Sequence, residues 1–140
     1  MDDDLSSLSA ILLNDSYYLF TIDHSIQEDD LNRANTEALI CLKAKAFLDM
    51  KARKDKGEKV DEKHIRKHKA DVFRLVLFLT PETVFSLPAS IKTDLHLFVN
   101  NVKNNLPDPA VFKEMGAGNI DAIALLNQLV RNFDLEAFTP

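Results

Sequence analysis

Apolar positions recur at helical spacing through most of this chain. From Asn35, an N-cap residue with Glu37 in the first turn, Leu39, Leu42, Ala46, Phe47 and Met50 follow on one side, so residues 35–56 are read as a helix. Its tail, 51–59, is charged all round and contains Gly57, which stops it. Asp61 caps a second helix over 61–80, with Glu62 in the first turn and a stripe of Ile65, Val72, Leu75, Val76 and Leu79 that ends at Pro81. The short link makes the pair an antiparallel helical hairpin. Pro88 opens a third helix whose Ile91, Leu95, Phe98, Val99 and Val102 form the cleanest amphipathic face in the chain. Asp108-Pro109 begins a short fourth helix, and 119–133 forms a fifth after the Gly116-Ala117-Gly118 break.

The N-terminal part follows another pattern. Residues 8–13 and 17–22 are aliphatic, aromatic or β-branched runs separated by Asn14-Asp15-Ser16, a combination that reads as a β-hairpin. Both strands would be apolar on both faces, so helices or a further chain would have to cover them. Residues 23–33 read as a polar, acidic linker. The expected fold is thus mainly α: about five helices with a short N-terminal β-hairpin, α+β at that end, in one domain over 1–140. Its parts are the hairpin 8–22, the helical hairpin 35–80 and the C-terminal helices 88–133.

Composition supports this picture, because 140 residues that are 46% apolar with only three glycines suit a single helical core. One cysteine, Cys41, leaves no intrachain disulfide or cysteine metal site and points to a reducing setting. No run has membrane-span length and the acidic start lacks a secretory pattern, so a soluble, cytoplasmic protein with no membrane partner is expected. The net charge of -5 hides a segregation: residues 43–69 hold eleven of the seventeen Lys and Arg against five acids, whereas 1–30 hold eight acids and no Lys or Arg. A basic block in an acidic chain attracts phosphate, or pairs with acidic neighbours or a second copy.

Two polar residues interrupt apolar helix faces. At 100° per residue Lys43 falls among Leu39, Ala46, Phe47 and Met50, and His68 falls among Ile65, Val72, Val76 and Leu79. A structural role for Lys43 is to cover the core with its stem while the ammonium reaches Asp71 or solvent; a functional role is ligand contact. His68 alone is most simply a core histidine. His64 and His68 have metal-binding spacing, but no third ligand is evident and no zinc site is expected. There is no glycine-rich phosphate loop and no Ser or Cys nucleophile signature. The carboxylate runs at 2–4 and 28–30 lie in polar segments and read as solubilising.

The run Asn-Thr-Glu-Ala-Leu-Ile-Cys-Leu-Lys-Ala-Lys-Ala-Phe-Leu-Asp-Met at 35–50, with Lys-His-Lys-Ala-Asp-Val-Phe-Arg-Leu at 67–75, resembles the post-catalytic helical region of abortive-infection (AbiEii-like) nucleotidyltransferases. The likeness is clearest over 8–80, where the upstream hairpin resembles the end of the family's sheet. It implies that Lys43 matches a lysine near the nucleotide and Asp71 the first acid of the second motif, with His68 and Lys69 in the basic portion. Arg74 stands where a second acid is expected, and the Gly-Ser motif and metal-binding acid pair are absent. The resemblance therefore implies a binding or assembly module that is catalytically incomplete alone. It implies no cofactor, with Mg2+ only if a separate catalytic chain completes the site. A second expectation is nucleotide or RNA binding through 43–69, with Lys51, Arg53 and Lys54 as the phosphate-binding surface. A third is homo-oligomerisation, a homodimer above all.

Overall fold

The computed structural model describes residues 11, 14–28, 31–114, 116 and 120–135. Among them six helices dominate: α1 (Asp15–Asp23), α2 (Thr36–Asp55), α3 (Glu62–Val76), α4 (Ala89–Val102), α5 (Ala110–Lys113) and α6 (Ala122–Asn132). Two four-residue strands, β1 (Ser25–Glu28) and β2 (Leu31–Ala34), pair antiparallel with Ser25 opposite Ala34 and Glu28 opposite Leu31.

The expected hairpin over 8–22 is corrected. Residues 8–10, 12 and 13 lie outside the described residues, and 17–22 are helical. Asn14 acts as a cap rather than a turn residue: its Oδ1 accepts the Ser16 N–H at 3.0 Å, satisfying one of the orphan donors of a helix start. Tyr17 and Phe20 then bury one side of α1. Packing on α2 and α4 overrides the strand propensity of this aromatic run. The strands occur instead within the segment read as a linker.

The helical hairpin forms, but its second helix stops at Val76 and 77–79 make a turn, short of the end at 80 that the pattern predicts. In α2 and α3 the ends are set by local chemistry. Gly57, at φ 87°, accepts the left-handed conformation that closes α2, with Glu58 N–H bonded to Arg53 C=O at 3.0 Å and Gly57 N–H to Lys54 C=O at 2.9 Å. Asp61 caps α3 by accepting from Lys63 N–H at 2.9 Å. Contacts of Lys43 with Asp71 and Lys54 with Glu62 fix the two helices as antiparallel. The buried face of α2 includes Ile40, Leu42, Phe47 and Met50, and that of α3 includes Val72, Phe73 and Val76.

Against α2 lies α4, which buries the five residues its pattern marks, Ile91, Leu95, Phe98, Val99 and Val102. Phe98 meets Phe47 edge-on at 5.3 Å. From the other side α6 packs on α3 and latches the turn that follows it. Gln128 Nε2 donates to the carbonyls of Val76 and Leu79, each at 3.3 Å. Asn132, fully buried, donates to the carbonyls of Thr80 at 3.1 Å and Thr83 at 2.6 Å. The Val76 and Thr80 carbonyls also accept from the N–H groups of Leu79 and Thr83, so the two amides reinforce the turn and hold the carbonyls of Leu79 and Thr83.

Candidate functional site

The residues marked in the sequence separate into three environments. Lys43 Nζ lies 3.2 Å from Asp71 Oδ2, with both side chains mostly buried, and Asp71 Oδ1 also accepts from Arg74 at 2.9 Å. One carboxylate thus ties α2 to α3 and to its own helix. His68 is fully buried on α3, and His64, one turn earlier, has its Nε2 3.7 Å from the Asp61 carboxylate. Among the described residues no group of three His, Cys, Asp or Glu side chains could hold a metal ion.

Lys69 has a different setting. It is 8% exposed, and its Nζ donates to the Asn105 carbonyl at 3.0 Å. No described carboxylate pairs with it. Burial, followed by the neighbouring charges of Arg66 and Lys51, pushes its pKa below the ordinary lysine value. An anion placed beside Lys69 would relieve each of these effects.

Space for such an anion exists on both sides. Arg66 and Lys69 form a shared wall between two open clefts of about 230 and 420 Å³. The smaller lies between the end of α2 and the start of α3, where Lys51 and Lys54 join the wall, with Asn105 across from them. The larger is flanked by Lys63, Lys67 and Arg74 from α3 and by Pro107, Asp108 and Val111 from the segment leading into α5. Together the clefts present seven Lys or Arg side chains and two carboxylates, Glu62 and Asp108. Glu62 is engaged by Lys54, and Arg74 by Asp71. Lys51, Lys63, Arg66 and Lys69 make no ion pair with a described carboxylate.

Of the surface expected to bind phosphate, Lys51 and Lys54 line a cleft, while Arg53 turns to Glu58 at 3.5 Å and lines neither. Sequence reading passed over Lys63, Arg66, Lys67 and Arg74 as site residues. Their signal was spacing: Lys63, Lys67 and Arg74 stand at i, i+4 and i+11, one stripe of a helix.

Burial also holds the Cys41 thiol and the Tyr17 hydroxyl in their neutral forms. Burial pushes the Cys41 thiol up, with Glu37 adding to the shift, so it is no thiolate nucleophile. Tyr17 donates to Asp94 Oδ2 at 2.9 Å, and burial together with that carboxylate pushes its pKa far up. Lys45 completes the cluster, 3.7 Å from Asp94 and 3.3 Å from Asp49. This polar seam joins α1, α2 and α4. No described helix is long and apolar enough to cross a membrane.

No family model, curated protein or solved structure matches this chain. What the fold and site define is a helical protein with a double basic cleft built on one helical hairpin.

Proposed function

We propose that the protein binds a phosphate-bearing polymer, a nucleic acid, in the double cleft around Arg66 and Lys69. The observation that carries this reading is Lys69 itself: a mostly buried lysine whose ammonium, flanked by two further cations, is paired with a carbonyl instead of a carboxylate, in a wall shared by two open clefts. A structural ion pair would place an acid there, as Asp71 is placed for Lys43. Binding would proceed mainly by neutralising phosphates and releasing counterions.

The test is fluorescence anisotropy of a labelled single-stranded oligonucleotide across a salt series. Contact with about four phosphates gives a slope of roughly -3 in log K against log salt. The double variant K63E/R66E is expected to lose tenfold or more in affinity at low salt. Affinity indifferent to salt and to this charge reversal would sink the reading.

Kinship with the helical part of an AbiEii-like nucleotidyltransferase belongs to the same proposal, supported by the likeness of 35–50 and 67–75, and it makes the chain a binding or assembly module for a separate catalytic chain. Self-association is a second reading, favoured by a different observation: Tyr18, Leu19 and Ile22 expose 52%, 61% and 46% of their surfaces on one helix, α1.

A further inference from the structure

Phe78 is the most exposed large apolar side chain among the described residues, at 68%. Its neighbours Leu77 and Leu79 pack against the core; Phe78 alone turns outward. Phe78 N–H bonds to Leu75 C=O at 3.0 Å. The carbonyls of Val76, Leu79, Thr80 and Thr83 on either side of it accept from the side-chain amides of Gln128 and Asn132. The ring is therefore presented from a fixed turn.

Its position follows from the helix that precedes it. Leu77 retains right-handed helical backbone, and the N–H groups of 77–79 bond three residues back, so Phe78 stands about one turn beyond Arg74 and about 100° from it around the axis. The stripe Lys63, Lys67, Arg74 thus ends within one turn of an aromatic ring, which stands to one side of it. From Lys63 to Arg74 it covers about 16 Å at 1.5 Å per residue, a length that accommodates several successive phosphates of one strand. Phe47, which contributes to the smaller cleft, is 5% exposed and offers no open face.

We propose that Phe78 is a base-stacking platform at the end of this basic stripe, and that the ligand is single-stranded nucleic acid with its backbone along α3 and an unpaired base on the ring. The inference rests on the binding reading above and narrows it. A fully paired duplex keeps its bases stacked on each other and has none to give Phe78, whereas a single strand offers a π-face at every nucleotide. A protein partner docking on Phe78 would answer to the apolar surface alone and leave nucleic-acid affinity untouched.

The chain contains no tryptophan, so the F78W variant carries a single reporter at the platform. Binding of one labelled mixed-sequence oligonucleotide is measured as a single strand and as a blunt duplex, for wild type, F78A, F78W and K63E/R66E. The expected result is an F78A loss of about tenfold for the single strand, the scale of one base–aromatic stack, with an unchanged salt slope and little change for the duplex. F78W is expected to restore single-strand affinity, its emission quenched on binding. Because Phe78 is solvated in the free protein, F78A leaves thermal unfolding near that of wild type. Equal single-strand affinity of F78A and wild type, or unquenched F78W in a saturated complex, overturns the platform while leaving the basic cleft standing. Wild type that binds neither form, or binding that K63E/R66E does not weaken, overturns both.

Discussion

At the scale of single residues, the two lysines that invite a functional reading are opposites. Lys43 has a carboxylate and Lys69 has a carbonyl. Removing Lys43 strips the mostly buried Asp71 carboxylate of one of its two cations and leaves it with Arg74, so K43M is expected to destabilise by about 1–2 kcal/mol in urea unfolding, and by less in a D71N background. A double-mutant cycle with no coupling between the positions would contradict the pairing. For Lys69 the sign runs the other way. Its folded pKa lies below the unfolded value near 10.5, so the unfolded chain binds more protons between the two, and stability rises with pH across that window. Cys41 and Tyr17, whose pKa values are pushed up, lower stability with rising pH in wild type and K69M alike, so the rise is expected in the difference between the two unfolding free energies, titrated from neutral pH to about 10.5. Lys51 and Lys54 could be marked from local charge alone, but the burial of Lys69 depends on Asn105, 36 residues away, and such a neighbour has no local signature. Arg53 likewise has a partner that helix spacing does not reveal, since the turn after α2 brings Glu58 back to it.

Among the elements, those with a sustained 3.6-residue period were legible and the short apolar runs were not. The faces of α2, α3 and α4 could be read because several successive turns repeat the same apolar spacing. Residues 17–22 span less than two turns, too few to separate a helix from a strand buried on both sides, and Asn-Asp-Ser serves equally as a hairpin turn or as a helix cap. The pairing of β1 with β2 was hidden by its polar residues. Reading 17–22 as helical changes what the exposed side chains mean. Tyr18, Leu19 and Ile22 lie together on the outer face of α1 rather than alternating across a ribbon. If this face joins two copies, sedimentation velocity will show a concentration-dependent dimer, and L19E/I22E will hold the chain monomeric with its fold retained. A wild-type monomer at millimolar concentration would dismiss that association.

For the whole molecule, the chain concentrates positive charge in residues 43–69 while its total remains at -5. The fold preserves this contrast and gives it direction, because α2 and α3 turn Lys51, Lys63 and Arg66 toward one pair of clefts. Such a field raises the encounter rate with polyanions over that face and repels them elsewhere, an effect that fades as the Debye length contracts with salt. The latch on the turn after α3 has a consequence in time as well as in space. Asn132 lies 52 residues downstream of the Thr80 carbonyl it holds. Chains leave the ribosome N-terminal end first, so the basic hairpin emerges before the amides that set its aromatic end. A nascent chain would attract phosphate before it could favour an unpaired base, and discrimination would be the last property the molecule acquires.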